Sequence, residues 1–480
     1  MAQYLSRMIQ ELVRLLGADG VLRHPAELMV YECDGLTHLK QRPSAVALPR
    51  TTDEVAAIVK LCRHEGVPFV PRGAGTGLSG GALAKPGSIV IELARMNRIL
   101  SIAADERLAV VQAGVVNAVL SRAVRPFGLH YAPDPSSQIA CTIGGNIAEN
   151  SGGPHCFKHG ATTRHVLALT VVLPSGEIVK LGSPHGEESG YDLVGLMVGS
   201  EGTLGIATEA TLRLLPLPPK IETLLAAFHS VEDACEVVSR IVASGVTAAA
   251  LEMLDRLTIE AVEASVFAAG YPQDAGAVLL IELDGHPAQV ASDAARVEAI
   301  VSAAPALFLK RAQNEQERLK LWKGRKGAFG ALGRLAPDLY VLDTVVPRTR
   351  LPDVLRAVLE IGRSNRVRLS NVFHAGDGNL HPNISYDGRD QDELARVVKA
   401  SGEIVRACLD AGGALSGEHG IGLEKRDYMS LLFSADDLSM MARVRDLFDP
   451  DHLCNPNKVL PQTKACAEYR RDQAHLLTAE

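Results

Sequence analysis

The sequence has few aromatic side chains and lacks any excess of positive charge. Phe, Trp and Tyr make up 4% of the 480 residues, with a single Trp. Lys and Arg number 49 against 56 Asp and Glu, a formal net charge of −7. Because phosphate backbones are bound by basic surfaces, this balance argues against a nucleic-acid partner.

Cysteine is present but is not arranged as a metal site, and long apolar runs are lacking. The eight cysteines are Cys33, Cys62, Cys141, Cys156, Cys235, Cys408, Cys454 and Cys466. They form no CxxC pair, which argues against a zinc knuckle or an iron–sulfur cluster within the chain. No apolar run reaches the roughly 18 residues that cross a bilayer, and the amphipathic N-terminus lacks the features of a signal peptide. We therefore expect a cytoplasmic protein without a transmembrane segment, any contact with the inner membrane being made through partner subunits.

Length and composition indicate a multidomain globular protein. The chain of 480 residues is too long for one ordinary domain of roughly 150, and its 47% apolar and 22% charged residues are typical of globular proteins. Short strand and helix patterns alternate up to Leu215–Pro219 (LPLPP), after which the elements become longer. We predict a helical segment at 1–42, domains at 43–219 and 220–433, and a C-terminal segment at 434–480 whose end beyond Lys464 is loosely held.

Three glycine-rich clusters fall in the first domain. Residues 71–81 read PRGAGTGLSGG, and the N–H groups of such a run can converge on an anion such as pyrophosphate, the alternative being a flexible surface loop. Residues 133–154 read PDPSSQIACTIGGNIAENSGGP; their neutral donors and acceptors suit an uncharged heterocycle, the alternative being a structural Ω-loop. Residues 198–209, VGSEGTLGIATE, enter a strand. Since none has Walker or Rossmann spacing, the clusters indicate a nucleotide held by neither motif.

A histidine pair flanks a turn motif in the second domain. Residues 374–383 read HAGDGNLHPN, in which Asp377-Gly378 is typical of a two-residue hairpin turn. Such a turn places His374 directly opposite His381, with β-carbons about 5 Å apart on the face that Asn383 shares. The pair predicts a metal site, although a single histidine would more often be structural, and Asp377 is interpreted as a turn residue.

A second motif, SGEHG at residues 416–420, supplies a carboxylate and a further imidazole. Glu418 together with His374 and His381 makes a set of two histidines and one carboxylate that leaves open positions on an ion. Such a set suits Zn²⁺ or Mn²⁺ and is also compatible with Fe²⁺. His419 is then a candidate general base beside the ion.

The order of these motifs resembles a known family. PRGxGTGLSGG, then PDPSSxxxxTIGGNIAxNSGG, then GSEGTLGIATExTLRL are similar to the vanillyl-alcohol oxidase superfamily. Within it they resemble the FAD-linked 2-hydroxyacid dehydrogenases, the branch of the glycolate oxidase flavin subunit and D-lactate dehydrogenases. The resemblance implies an α+β fold with a PCMH-type FAD-binding domain of two α/β subdomains at 43–219, a ferredoxin-like antiparallel-sheet cap that binds substrate, and a C-terminal segment that returns to the flavin.

The resemblance also implies roles for particular residues. His374, His381 and Glu418 match the family's metal ligands, His419 its active-site histidine, and Arg325 its carboxylate-binding arginine. FAD, bound without a covalent bond, would contact the three clusters and the C-terminal return. The residues expected to bind it are Arg72, Gly73, Ala74, Gly75, Thr76, Gly77, Leu78, Ser79, Gly80, Pro133, Asp134, Ser137, Thr142, Ile143, Gly144, Gly145, Asn146, Ala148, Asn150, Gly153, Glu201, Gly202, Gly205, Ile206 and Asn455.

The predicted reaction is the oxidation of a small 2-hydroxy acid to a 2-oxo acid. The metal would lower the pKa of the substrate hydroxyl, His419 would remove its proton, and the hydride would pass to flavin N5. Relatives that act on 2-hydroxyglutarate carry a Thr and a Lys at positions that here correspond to Phe329 and Val341. Apolar residues there would leave a second carboxylate unpaired, which favours glycolate or D-lactate.

Other functions stay open at this stage. The alternatives are a D-2-hydroxyglutarate dehydrogenase, a non-redox transferase on the same FAD fold, and an FAD-bearing scaffold subunit. Without cluster cysteines of its own, the chain would pass electrons to an iron–sulfur partner subunit, a quinone, a cytochrome or oxygen. The resemblance to the glycolate oxidase flavin subunit implies the iron–sulfur partner.

Overall fold

A computed structural model describes residues 2–185 and 190–461 of the chain. Residues 462–480, which include Cys466 and the end predicted to be loosely held, lie outside the described residues. The strands up to residue 216 are β1 Val21–Leu22, β2 Ala45–Ala47, β3 Phe69–Arg72, β4 Ile89–Glu92, β5 Ile99–Ala103, β6 Leu108–Gln112, β7 Leu129–His130, β8 Val166–Val172, β9 Ile178–Gly182, β10 Ile206–Arg213 and β11 Leu215–Pro216. The α-helices of this part are α1 Ala2–Leu16, α2 Pro25–Leu28, α3 Thr52–His64, α4 Asn117–Val124, α5 Ile143–Glu149, α6 Cys156–His159 and α7 Leu193–Met197.

Among the described residues these strands form three sheets, and two of them carry glycine clusters at their strand ends. The first sheet has the order β1-β2-β4-β3, with β2 and β3 parallel to β4. The second is antiparallel, with the order β5-β6-β10-β8-β9, and β7 pairs with β11 in a third. Helix α3 begins at Thr52, because the Thr51 hydroxyl accepts a hydrogen bond from the Glu54 N–H at 3.1 Å. The first glycine cluster directly continues β3, and the third directly precedes β10.

The remaining elements form a larger α+β unit. Its strands are β12 Lys220–Phe228, β13 Ala250–Asp255, β14 Ala277–Gly285, β15 Ala306–Arg311, β16 Asp338–Val341, β17 Thr344–Val345, β18 Arg368–His374, β19 Asn379–Leu380 and β20 Pro382–Tyr386. Its helices are α8 Val231–Ala243, α9 Arg256–Glu263, α10 Pro287–Ser302, α11 Glu315–Lys326, α12 Ala328–Leu332, α13 Leu351–Ser364, α14 Gln391–Asp410, α15 Met429–Leu432 and α16 Ala435–Phe448. The strands form one antiparallel sheet of nine in which β15-β12-β14-β13-β18-β19-β17 are consecutive. The α+β class predicted from the sequence is confirmed.

This sheet is covered on both faces, which explains its continuous apolar strands. Along β12, Leu224, Ala226 and Phe228 pack into a core shared with α8, α10, α13 and α14. The alternating residues Leu225 and Ala227 pack on the other side with α9, α11 and α12. Since both faces are dry, a charged side chain inside a strand must find its partners within the protein.

The hairpin between β18 and β19 differs from its predicted register. His374 lies opposite Asn379 and not opposite His381, so the loop has four residues, Ala375 to Gly378. Two hydrogen bonds outside the hairpin explain the wider loop: the Ala375 N–H donates to Leu251 of β13, and the Gly378 carbonyl accepts from Val346. The two-residue turn was therefore wrong, but His381 lies two residues after Asn379 and so remains on the face of His374.

The chain returns to the first sheet near its C-terminus. Phe69 of β3 exchanges backbone hydrogen bonds with Leu453 and Asn455. The Asn455 side chain donates to the carbonyls of Gly81 and Glu201, so it joins the first and third glycine clusters. Among the described residues, no helix is long and apolar enough to cross a membrane.

Candidate active site

A cavity of about 560 Å³ lies between the glycine clusters and the large sheet unit. Its volume is within the range of cofactor pockets, roughly 300–1,000 Å³. Glycine is needed where the clusters approach each other: a β-carbon on Gly73 would lie 2.3 Å from the Thr142 hydroxyl, and one on Gly144 would lie 2.8 Å from the Ala113 β-carbon. The residues at the cavity therefore fit an extended, largely backbone-bound cofactor such as FAD.

Most residues predicted to bind FAD line this cavity. They are Arg72, Gly73, Ala74, Gly75, Thr76, Gly77, Leu78, Ser137, Thr142, Gly144, Gly145, Asn146, Ala148, Glu201, Gly202, Gly205 and Ile206. The rest of the predicted set does not line it: Ser79, Gly80, Pro133, Asp134, Ile143, Asn150, Gly153 and Asn455. Two of them make hydrogen bonds to neighbouring residues through their backbone: the Pro133 carbonyl accepts from Asn117, and the Ser79 carbonyl accepts from Leu423. Their direct contact with a cofactor remains a prediction.

Three predicted ligand atoms converge beside the cavity, which His381 and Glu418 line and His374 does not. Nε2 of His374 and Nε2 of His381 lie 3.0 and 2.9 Å from the same oxygen, Oε1 of Glu418. All three side chains are largely buried, with exposed fractions of 5%, 1% and 10%. Burial opposes charge on His374, but Glu252 and Glu418 outweigh it and raise the pKa of that imidazole. These three side chains, which we call the ligand cluster, therefore bring two imidazoles and a carboxylate together in a buried environment.

The hydrogen bonds behind the two imidazoles leave both Nε2 atoms directed at Glu418. Nδ1 of His374 lies 2.8 and 2.9 Å from the carboxylate oxygens of Glu252. Nδ1 of His381 lies 3.1 Å from the Leu342 carbonyl. When each Nδ1 donates, each Nε2 carries a lone pair for an ion. These donors fit a divalent metal, and His374, His381 and Glu418 are the residues that would hold it.

Asp343 holds the SGEHG loop in place. Its carboxylate accepts hydrogen bonds from the Ser416 hydroxyl at 2.5 Å and from the backbone N–H groups of Gly417, Glu418 and His419 at 2.9–3.2 Å. Burial alone would raise the pKa of Asp343, but Lys425 and the nearby imidazoles hold it well below its usual range. Glu201 anchors the next turn of the loop through the N–H groups of residues 421 and 422.

His419 lines the cavity directly beside the predicted ligands. Its ring stacks on that of His381, with centroids 4.8 Å apart and an angle of 6° between the planes. Nδ1 is buried without a hydrogen-bond partner among the described residues. Burial lowers the pKa of His419 to about 4, so the ring is neutral at pH 7 and can accept a proton.

Arg325 lies behind the ligand cluster and does not line the cavity. It is fully buried on α11, and its Nη2 lies 2.6 Å from Oε2 of Glu252. Its Nε and Nη1 atoms have no partner among the described residues. Leaving a buried donor without a hydrogen bond costs free energy, so Nε and Nη1 are suited to donate to an anion.

The cavity wall near the histidines is mostly apolar. Phe329 and Val341 both line the cavity, and the Phe329 ring lies 6.5 Å from that of His381. Lys326 is the nearby cation, but its Nζ lies 3.2 Å from Asp134. This wall therefore offers little to pair with a second carboxylate on a ligand.

Three carboxylates at the site were missed by the sequence reasoning. Glu252 and Asp343 support the ligands, and Glu149 lines the cavity with one oxygen unpartnered among the described residues. Burial and the adjacent Glu201 raise the pKa of Glu149 well above its ordinary value. A lone acidic residue in the apolar run of residues 248–254, AAALEML, is a signal that could have identified Glu252.

Two family models match the chain. The model of the FAD binding domain matches residues 43–182, and that of FAD linked oxidases, C-terminal domain, matches residues 217–459. The second match covers the strands and loops that carry the histidines and Glu418, and helix α11, which carries Arg325.

Curated relatives match the chain over most of its length. The glycolate oxidase subunit GlcD of Escherichia coli (strain K12) is 46% identical over 455 residues, which cover 95% of this chain and 91% of that protein. GlcD of Bacillus subtilis (strain 168) is 39% identical over 94% of this chain and 96% of its own. A D-lactate dehydrogenase of Anaerostipes hadrus is 35% identical over 88% of this chain and 90% of its own.

Solved structures share the fold at low sequence identity. p-Cresol methylhydroxylase with substrate bound has a TM-score of 0.82 at 15% identity, covering 96% of this chain and 97% of its own. An alkyldihydroxyacetonephosphate synthase has a TM-score of 0.73 at 20% identity, covering 94% of this chain and 86% of its own. Because proteins with such different names share it, the fold alone does not fix the reaction.

Proposed function

The chain belongs to the FAD-linked oxidases, and from this premise we propose that it oxidises glycolate or D-lactate to the corresponding 2-oxo acid. It is an FAD-dependent dehydrogenase of small 2-hydroxy acids. Its relatives are named glycolate oxidase subunit GlcD and D-lactate dehydrogenase. The observation that carries the site assignment is the convergence of His374, His381 and Glu418 beside the glycine-lined cavity.

The reaction removes a hydride from C2 of the substrate and a proton from its hydroxyl. FAD, when bound, would accept the hydride, and a divalent metal, Zn²⁺ or Mn²⁺, would stabilise the developing alkoxide. His419 accepts the hydroxyl proton on its imidazole, which burial keeps neutral beside the ligand cluster. Asp343 fixes the loop that carries this base, so its ring needs little reorganisation before proton transfer.

Substrate selection follows from the charges around the ligand cluster. Nε and Nη1 of Arg325 have no partner among the described residues, and each can donate a hydrogen bond to a substrate carboxylate that reaches past the ligand cluster, because Arg325 does not itself line the cavity. Phe329 and Val341 limit the other end to a hydrogen or a methyl group, because a second carboxylate would be desolvated without a partner.

Electrons leave to a separate acceptor in this proposal. The Escherichia coli relative is named as a subunit, which supports a partner subunit, and an iron–sulfur subunit is the acceptor that we propose; a quinone, a cytochrome or oxygen is the alternative. Such a partner would also bring the chain to the inner membrane.

An anaerobic spectral titration tests the proposal. The purified flavoprotein is mixed separately with glycolate, D-lactate, L-lactate and D-2-hydroxyglutarate, before and after metal removal by a chelator. We expect glycolate or D-lactate to bleach the flavin band, chelation to abolish the bleaching, and Zn²⁺ or Mn²⁺ to restore it. Bleaching by D-2-hydroxyglutarate alone would contradict the substrate assignment, and bleaching that is insensitive to chelation would contradict the metal site.

A further inference from the structure

Glu252 is a buried carboxylate that touches two parts of the proposed site at once. It lies in the middle of β13 with no exposed surface. Its oxygens lie 2.8 and 2.9 Å from Nδ1 of His374, and Oε2 lies 2.6 Å from Nη2 of Arg325. A buried carboxylate is costly unless it is paired, so both contacts are needed to keep it in an apolar strand.

The contact with His374 determines which ring nitrogen faces the cavity. Because Nδ1 is turned towards Glu252, Nε2 points at Glu418, 3.0 Å away. Carboxylates behind metal-binding histidines fix the tautomer and the ring orientation in this way, and their loss weakens metal affinity.

The contact with Arg325 determines which donors of the guanidinium are free. Glu252 occupies Nη2, while Nε and Nη1 are buried without partners in the described part of the chain. Because Cδ lies between Nε and Nη1, these two donors do not form a parallel pair, and each can donate a separate hydrogen bond to an anion. The same glutamate therefore sets both the orientation of the imidazole and the free donors of the arginine.

We propose that Glu252 is a positioning residue that aligns the metal ligand His374 with the free donors of Arg325. The proposal rests on the function proposed above. If Glu252 has this role, replacing it should change two measurable properties, the affinity for metal and the KM for substrate. A residue with a purely structural role would not change these two properties selectively.

Glu282 offers a matched control. It is also a buried glutamate, on the adjacent strand β14 and on the same sheet face, because Ala250 and Glu252 of β13 lie opposite Glu282 and Leu280. Its partners are His155, Arg318, Thr223 and Trp322, none of which is a proposed ligand. Glu282→Gln therefore removes a comparable buried charge away from the metal.

The first readout is the affinity for Zn²⁺ alone. Full-length, FAD-loaded protein is stripped of metal, and the dissociation constant is measured by competition with a chromophoric chelator. We expect Glu252→Gln to weaken binding about 10–100-fold, the range for second-layer carboxylates, and Glu282→Gln to leave it unchanged. Equal affinities in the two variants would overturn the proposal.

The second readout is the kinetic split at saturating metal. We expect Glu252→Gln to raise the KM for glycolate or D-lactate more than it lowers kcat, and Glu282→Gln to leave KM unchanged. If Glu252→Gln yields no soluble flavoprotein, Glu252→Asp is used in both measurements. This variant keeps the carboxylate but shortens the side chain by one methylene group. Wild-type protein that binds no Zn²⁺ would contradict the proposed function instead, whereas normal Zn²⁺ affinity and KM in the variant would contradict only the role of Glu252.

Discussion

Two groups of the same three residue types lie side by side on one face of the large sheet. The ligand cluster, which is His374, His381 and Glu418, has Glu252 and Arg325 behind it. The bridging cluster consists of Glu282, His155 and Arg318. Glu252 and Glu282 are on adjacent strands, and Arg325 and Arg318 are about two turns apart on the same helix. The clusters differ in how completely their polar atoms are paired.

The bridging cluster is saturated. His155 contacts Asp134 through Nδ1 at 3.0 Å and Glu282 through Nε2 at 3.1 Å, and its ring stacks on Trp322. Burial opposes charge on His155, but these two carboxylates outweigh it and raise its pKa to about 10. Since Asp134 belongs to the second glycine cluster and Glu282 lies in the large sheet, the bridging cluster joins the two regions of the chain that the family models match.

The ligand cluster is unsaturated. Two donors of Arg325 behind it have no described partner, and both histidine Nε2 atoms share a single oxygen of Glu418. In this protein, residue type alone therefore does not distinguish a cluster with a structural role from one with a role in binding or catalysis. The cluster that lacks partners is the one with capacity to bind an ion and an anion.

The largest expected effect comes from removing a histidine of each cluster. His374→Ala should abolish flavin reduction by glycolate or D-lactate and remove bound metal, because the ion loses a ligand. His155→Ala should keep metal and flavin reduction but lower stability. Anaerobic absorbance and metal analysis check both variants, and flavin reduction at the wild-type rate in His374→Ala would remove the difference between the clusters.

Exchanging the arginines should have the next largest effect. In Arg325→Lys one ammonium replaces the separate Nε and Nη1 donors, so we expect the KM to rise roughly tenfold or more, the loss of a charged hydrogen bond being worth about 1.5–3 kcal/mol. Arg318→Lys is the control from the same helix and should leave KM unchanged. Steady-state kinetics with glycolate and D-lactate measure both, and a similar rise in the two variants would place Arg325 outside the substrate site.

The sequence alone predicts the ligand cluster better than the bridging cluster. His374, His381, Glu418 and His419 are found from short local motifs, in which turn chemistry and spacing carry the signal. The register of the hairpin is not found, because the hydrogen bonds of Ala375 and Gly378 go to residues 251 and 346, distant in sequence. Local turn propensity cannot anticipate such pairings.

The supporting carboxylates could not be assigned for the same reason. Glu252 contacts His374, which is 122 residues away in the sequence, and Asp343 accepts a hydrogen bond from the N–H of His419, which is 76 residues away. A charged residue in an apolar strand signals that a partner exists but not which one. The glycine clusters, by contrast, are predicted well, because the cavity walls are made of contiguous segments.

The pH dependence of stability sharpens the comparison further. With its folded-state pKa raised to about 10, above the ordinary value near 6.5, His155 stabilises the fold fully below about pH 6.5, and this contribution is lost as the pH rises through 10. We expect the urea midpoint of the wild type to fall between pH 7 and pH 10 and that of His155→Gln to fall less. Parallel profiles for the two proteins would show that His155 is not charged in the folded state.

The smallest effect is expected at Trp322, which belongs to the bridging cluster by contact. Its Nε1–H donates to Glu282 at 2.5 Å, and Glu282 also accepts from Thr223 and Arg318. Trp322→Phe should therefore cost about 1 kcal/mol of unfolding free energy, the value of one hydrogen bond with the carboxylate still paired, and leave metal affinity, KM and kcat unchanged. Chemical denaturation measures the unfolding free energy, and steady-state kinetics measure KM and kcat. A change in KM would show that the bridging cluster acts on the substrate site.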